Sequence, residues 1–284
     1  MSASAHKRER EFQFTDRDFN RIRQLVSQHT GISLSDAKRD MVYSRLARRL
    51  REVSMQDFSS YCALIDSPAG ESELLNFTNA ITTNLTSFFR EPHHFEYLQK
   101  TLLPELLKKN AHTRRLRIWS AGCSTGEEPY SLAIAIREVV PESSDWDIKI
   151  LATDLDSNVL AKGKSGIYDA ERVSGLSKQR VKNWFLRGKG DKSNLVRVHP
   201  CLQDMITFNR LNLMNAWPIK EPFAFMFCRY VGIYFDKPTQ SVLFDRYADL
   251  LVDDARLFLG HSETMFKVCE RFKLIGNTIY QKIK

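Results

Sequence analysis

Over roughly the first 85 residues, apolar positions recur every three or four places, the spacing of amphipathic helices. Thr15-Asp16 opens one such segment ahead of Phe19, Ile22, Leu25 and Val26, and Gly31 closes it. Ser35-Asp36 opens a second. Met41, Val42, Leu46 and Leu50 form one side of it, and Lys38, Arg39, Arg45, Arg48, Arg49 and Arg51 crowd the rest. Phe58, Tyr61, Cys62 and Ile65 suit a third helix, broken by Pro68-Ala69-Gly70, and Leu74, Leu75, Phe77 and Ile81 a fourth. After about residue 115 the pattern changes to short apolar runs alternating with helical stretches. The runs predict strands over 116–120, 148–153, 206–211, 223–228 and 256–260, with helices over 129–140, 156–163 and 238–251. Such alternation argues for an α/β domain with a mainly parallel sheet. A polar stretch over about 166–203 interrupts it. This stretch holds Tyr168, a short helix near 178–186, the loop Arg187-Gly188-Lys189-Gly190 and a strand over 195–198, and it reads as a small insertion containing a hairpin.

The 284 residues are ample for two domains. A net charge of +8 points to an anionic partner, with nucleic acid, anionic membrane and an acidic protein surface all open, or to plain solvation. The five cysteines are scattered and odd in number, with no C-x-x-C pair. The pattern suggests neither a disulfide framework nor a metal site, and reads as reduced thiols in a cytoplasmic protein. No apolar run approaches the roughly 18–20 residues of a membrane helix. Residues 1–11 are polar, lack the apolar segment of a secretory signal and are expected to fray.

The most informative stretch is Arg117-Ile118-Trp119-Ser120-Ala121-Gly122-Cys123-Ser124-Thr125-Gly126-Glu127-Glu128-Pro129-Tyr130. A buried strand enters a loop of small residues, where Ala121 and Gly122 let a ligand approach the backbone, and a helix follows with Pro129 near its start. This is the first strand–loop–helix of a nucleotide-type site at the carboxyl edge of a sheet. It matches neither G-x-G-x-x-G nor a P-loop. Glu127 and Glu128 would repel a pyrophosphate but suit the cationic sulfonium and ammonium of S-adenosylmethionine, unless they only complement the helix dipole. Asp154, at the tip of the second strand, is placed to grip ribose hydroxyls, while Asp156 suits a helix N-cap.

These residues resemble the CheR family of chemotaxis receptor methyltransferases, which transfer a methyl group from S-adenosylmethionine to protein glutamates. The resemblance runs from about residue 14 to 281. It is carried by Lys38-Arg39-Asp40-Met41-Val42, by Ile81-Thr82-Thr83-Asn84-Leu85-Thr86-Ser87-Phe88-Phe89-Arg90-Glu91 and by Trp119 through Ser131. Asp154-Leu155-Asp156, Leu211-Asn212-Leu213, Phe227-Cys228-Arg229, Ile233-Tyr234-Phe235 and Gly260-His261-Ser262-Glu263 complete it. It implies an all-helical N-terminal domain over 1–88 and a Rossmann-like class I methyltransferase domain over 89–284, with an antiparallel β-subdomain inserted at about 166–203. It also implies cofactor contacts from Asn84, Thr86, Arg90, Glu128, Asp154, Asn212, Leu213 and Arg229, with Tyr230 adjoining. Arg90 and Tyr234 match positions beside the transferred methyl group. In similar proteins the β-subdomain docks a receptor's C-terminal peptide, and the loop with Gly188 and Gly190 resembles that docking site. The family strand usually reads Phe-Asp-x-Ile-Phe-Cys-Arg-Asn-Val. Here Ala224 replaces the acid, Tyr230 the asparagine, and Gly232 a large apolar residue.

A glutamate is ionised near pH 7 and needs no general base, so catalysis reduces to alignment and exclusion of water. Arg90 is expected to hold a carboxylate, of acceptor or cofactor, unless it pairs with Glu91 or another acid. Tyr234 is expected to shape the methyl-transfer pocket, unless it is a packed strand-end aromatic. His261 reads as a buried structural histidine. The basic helix, through Arg45, Arg48 and Arg49, is the expected contact for the receptor's acidic helical bundle, unless it is a solvated face. The expected protein is a monomer that neither enters the membrane nor binds nucleic acid. A nucleic-acid methyltransferase is the rival reading. It is disfavoured because Cys228-Arg229-Tyr230-Val231 stands where an Asn/Asp-Pro-Pro-aromatic tetrad belongs. A further rival is a binding module that has lost catalysis through Ala224 and Tyr230.

Overall fold

A computed structural model describes residues 10–284. The chain divides into two compact units, the first ending at Thr82 and the second running Thr83–Lys284, so the division falls before the expected 88/89. The expected fraying of 1–11 lies outside the described residues for 1–9. Beyond them, Arg10 pairs with Asp40 at 2.5 Å, Glu11 with Arg51 at 3.2 Å, and Phe12 and Phe14 are buried.

The first unit is all helical. In α1 (Asp16–Thr30) the Thr15 hydroxyl accepts from the Asp18 N–H while the Asp18 carboxylate accepts from the Thr15 N–H, a reciprocal capping box. Gly31 closes it in the left-handed region at φ 73°. Ser35 leads into a 3-10 turn over Asp36–Lys38, so α2 (Arg39–Glu52) begins later than the sequence suggests. Asp57 caps α3 (Phe58–Asp66). At Gly70 a Cβ would stand 1.9 Å from the Leu64 carbonyl, which is why glycine joins α3 to α4 (Glu71–Ile81). Ile22, Leu25, Val26, Val42, Leu46, Leu50 and Phe77 form the core.

Two of the arginines expected at a receptor surface have internal duties. Arg45 donates to the carbonyls of Ala80 (3.2 Å), Ile81 (2.8 Å) and Thr82 (2.6 Å), closing the C-terminus of α4. Arg49 forms a two-pronged pair with the buried Glu73 (3.0 and 2.6 Å), which also accepts from the Tyr61 hydroxyl at 2.7 Å. Arg48 lies outside, 76% exposed, paired one turn on with Glu52.

In the second unit α5 (Pro92–Tyr97) runs through a π turn over Leu98–Leu102 into α6 (Leu103–Lys109). Pro104 cannot donate to the carbonyl four residues before it, and the widened turn absorbs that gap. Then follow β1 (Arg115–Ala121), α7 (Glu127–Arg137), β2 (Asp147–Asp154), α8 (Ser157–Ser165), β3 (Ile167–Asp169), α9 (Lys178–Trp184), β4 (Phe185–Arg187) and β5 (Leu195–Val198). The chain continues with α10 (Pro200–Gln203), β6 (Ile206–Arg210), β7 (Phe223–Phe227), α11 (Lys237–Asp249), β8 (Leu251–Phe258), β9 (Phe272–Gly276) and β10 (Ile279–Lys282).

The main sheet has the order β6-β2-β1-β7-β8-β10-β9. Its first five strands are parallel, and β10 and β9 add an antiparallel edge. Every residue of β7 (Phe-Ala-Phe-Met-Phe) is buried, as a central strand covered on both faces requires. The insertion holds a separate antiparallel sheet, β3-β5-β4, so the expected hairpin gains a third strand. Among the described residues no helix is long and apolar enough to cross a membrane. Cys62, Cys123, Cys201, Cys228 and Cys269 are all free and buried.

Candidate active site

The chain builds β1, β2 and β6 in one direction along the sheet and β7 and β8 in the other, so the order reverses between β1 and β7. Loops leaving neighbouring strand ends there diverge and leave a crevice at the carboxyl rim. The four adjacent ends at that rim carry Asn212-Leu213, Asp154, Ala121-Gly122 and Arg229-Tyr230.

The loop after β1 is tied down by its neighbours. Ala121 is fully buried, and the N–H groups of Gly122 and Cys123 both donate to the Thr153 carbonyl (2.8 and 2.9 Å). Gly122 sits at φ 71°, and a Cβ there would fall 2.3 Å from the Val231 side chain, so glycine is required by conformation and by space. The Ser124 N–H donates to Asp154 Oδ2 at 2.8 Å, and the Asp156 N–H to Asp154 Oδ1 at 3.0 Å. A carboxylate oxygen can accept more than one hydrogen bond, so Asp154 could also take ribose hydroxyls. Burial pushes the Asp154 carboxyl up to about 6 against the pull of these backbone bonds. Asp156 caps α8 through the N–H groups of Asn158 and Val159.

Asn84 donates to Asp156 Oδ2 at 2.8 Å and accepts at its carbonyl from the Ser124 hydroxyl at 2.9 Å, so the segment before α5 is stitched to the β1 loop. The Thr86 carbonyl accepts from Arg172 at 2.9 Å. Beyond β6, the Leu211 N–H donates to the Asp154 carbonyl, Asn212 Oδ1 accepts from the Met214 N–H at 3.0 Å, and the Leu213 carbonyl accepts from Trp217 and Arg246.

The two acids of the loop are not free charges. Glu128 accepts from the Ser120 hydroxyl and from Arg229 Nε, both at 2.7 Å, with Glu128 and Arg229 both buried. Glu127 is held by the Thr125 hydroxyl at 2.6 Å and by Arg172. Their negative charge is therefore compensated within the protein, by Arg172 at Glu127 and by Arg229 at Glu128.

Arg90 does not pair with Glu91. Its guanidinium lies 3.5 Å from the centre of the Tyr230 ring and donates to the Leu85 carbonyl at 3.0 Å. Glu91 instead takes the Tyr230 hydroxyl (2.6 Å) and the backbone and ring of His261 (both 2.8 Å), with Arg229 at 3.5 Å. Burial opposes its ionisation, but these donors outweigh burial and hold its carboxyl at about 2. His261, expected to be buried, is exposed. Tyr230 adopts the left-handed region at φ 61°. Glu263 holds that turn, accepting from the N–H groups of Tyr230 (2.6 Å), Val231 (3.0 Å) and Gly260 (2.7 Å). The Tyr234 hydroxyl faces the Thr83 carbonyl at 3.5 Å.

Sequence reasoning missed Glu91, Glu263 and Arg172. Glu91 and Glu263 both fall inside quoted motifs, so a search for acids able to pin a strand-end turn would have found them. Arg172 lies in the insertion, outside any quoted motif. Gly188 and Gly190 stand apart from the rim, between β4 and β5. A Cβ at Gly188 would meet the Lys192 carbonyl at 2.0 Å, and Gly190 takes φ 57° with open space around it.

Residues 84–281 match the family described as "CheR methyltransferase, SAM binding domain", and residues 17–82 match "CheR methyltransferase, all-alpha domain". A "Probable chemotaxis protein methyltransferase" of Rhizobium etli is 41% identical over 258 residues, 90% of this chain and 96% of the relative. The "Chemotaxis protein methyltransferase" of Salmonella typhimurium is 42% identical over 272 residues (94% and 90%). That of Escherichia coli is 43% identical over 272 residues (94% and 91%). With both family domains matched in order, and with near-full-length relatives well above 30% identity, this chain belongs to the CheR methyltransferase family, an all-helical domain followed by an S-adenosylmethionine-binding domain.

Proposed function

We propose that this protein methylates glutamate side chains of chemotaxis receptors in the cytoplasm, using S-adenosylmethionine and releasing S-adenosylhomocysteine. The observation that carries the reading is the Asp154 carboxylate. It stands at the strand tip with the backbone N–H groups of Ser124 and Asp156 on its two oxygens, in the position where a ribose would be held. Bound there, the cofactor supplies an electrophilic methyl group on a sulfonium.

Asp154 would hold the ribose hydroxyls. Ala121, Gly122, Asn84, Thr86, Asn212 and Leu213 would line the crevice with backbone and small side chains. Glu128 and Arg229 hold each other, and Arg229 also donates to the Arg90 carbonyl, which fixes the backbone beneath the Arg90 side chain. Arg90 would receive the acceptor carboxylate, its guanidinium oriented by the Tyr230 ring. An ionised glutamate attacks without a base, so no residue has to take a proton. Tyr234 would close the crevice against water. Arg48, the exposed member of the basic trio, supports contact with an acidic helical bundle. The tight β4–β5 turn with Gly188 and Gly190 supports docking of a receptor tail at the edge of the small sheet by strand addition.

The test is radiolabelled methyl transfer to a receptor cytoplasmic fragment carrying its glutamates, beside a fragment with glutamine in their place. Label that is base-labile and confined to the glutamate form is the expected result. Binding of the fragment without transfer would identify a module that has lost catalysis. Transfer to nucleic acid in place of the receptor would overturn the reading.

A further inference from the structure

The loop that bears the cofactor is fixed from two sides, and only one of them belongs to the main sheet. Its first half is tied to β2, through the Thr153 carbonyl and through Asp154 at Ser124. Its second half is tied to the insertion. Tyr168 of β3 is buried and donates its hydroxyl to the Thr125 carbonyl at 2.7 Å. Arg172, on the 3-10 turn Ala170–Val173 that follows, reaches the Glu127 carboxylate and also donates to the Thr86 carbonyl at 2.9 Å. Gly126 lies between these anchors at φ 95°, where a Cβ would fall 2.9 Å from the Tyr168 hydroxyl. Glu127 is 1% exposed, while the Arg172 side chain is 41% exposed. A carboxylate so deeply buried requires its cationic partner, and removing that partner leaves an uncompensated charge in the loop.

We propose that Arg172 is a positioning residue for S-adenosylmethionine. By pairing with Glu127 and holding the Thr86 carbonyl, it sets the loop over 124–128 and the segment over 84–90 at the spacing the cofactor needs. The inserted β-subdomain is thereby a wall of the cofactor site as well as any docking surface it carries. This rests on the cofactor reading of the crevice. A displacement of about 1 Å in such a site is enough to lose two orders of magnitude in function.

The experiment is calorimetry with S-adenosylhomocysteine on the full chain, well below the melting temperature of each variant. Arg172→Ala should weaken binding at least tenfold. Adding Glu127→Gln, which removes the orphaned charge, should recover part of the loss without reaching the wild type. Wild-type affinity in Arg172→Ala, even with a lowered melting temperature, assigns Arg172 a purely structural role and overturns the proposal. Should Arg172→Ala not fold, the double variant decides, since wild-type affinity there overturns the proposal equally. Asp154→Ala is the control for the underlying reading. If it loses binding while the Arg172 variants do not, only this inference fails. If it also binds as the wild type does, the crevice itself is wrongly assigned.

Discussion

At Asp154 two demands on one carboxylate pull in opposite directions. Burial raises its pKa to about 6, while the ribose hydroxyls it is proposed to hold donate to the ionised form. An unfolded aspartate titrates near 3.9, so the folded, ligand-free protein binds this proton more tightly than the unfolded chain does. The group's contribution to stability therefore declines as pH rises from about 4 to about 6 and is level above that. Cofactor affinity runs the other way. The affinity for S-adenosylhomocysteine should climb as pH passes upward through about 6 and level off beyond, and Asp154→Asn should flatten the curve. Calorimetry from pH 5 to 8 checks both. A tyrosine at φ 61° is a second tension, since asparagine tolerates that region better than an aromatic residue does. The turn persists because Glu263, itself anchored by the Gly260 N–H, takes the N–H groups of Tyr230 and Val231, and because the Tyr230 hydroxyl reaches Glu91.

Elements with a strong period or a strong cap were legible from the sequence. α1, with its capping box and Gly31, and β5, which spans Leu195–Val198, lie where the pattern puts them. The antiparallel edge was not legible. β9 and β10 are short, and the glycine that marks their turn, Gly276, closes β9 itself, with Asn277 and Thr278 between the strands both at positive φ. β8 begins at Leu251, whereas the apolar pattern starts it at 256, because the polar pair Asp253-Asp254 breaks the run, with Asp254 itself at φ 61°. At the site, Asp154 and the glycine loop were readable from strand-end logic, whereas the Glu91 cluster depends on residues far apart in the chain. The basic helix α2 shows how composition misleads about individual residues. Arg49→Ala leaves Glu73 buried without its partner and should cost about 3–5 kcal/mol in urea denaturation. Arg48→Ala removes only an exposed pair and should stay within about 0.5 kcal/mol. A receptor-contact test on this helix is therefore clean at Arg48, where a raised KM at unchanged stability is the expected outcome.

Across the whole molecule, reactive groups are distributed unevenly. Glu127 and Glu128 are held by Arg172 and Arg229, while every thiol is buried and shifted toward its neutral form. Burial is the leading cause at each, lifting Cys62 to about 12 and Cys269 to about 11, and raising Cys123, Cys201 and Cys228 as well. A thiol attacks only as thiolate, so the folded protein should ignore alkylating and disulfide reagents at neutral pH. Because the five are spread over both units, each becomes a clock for the opening of its own neighbourhood. Pulsed labelling followed by mass spectrometry should mark Cys62 when the helical unit opens and the other four when their parts of the second unit do. The protein thus carries, in residues its chemistry never touches, a ready-made recorder of which half gives way first.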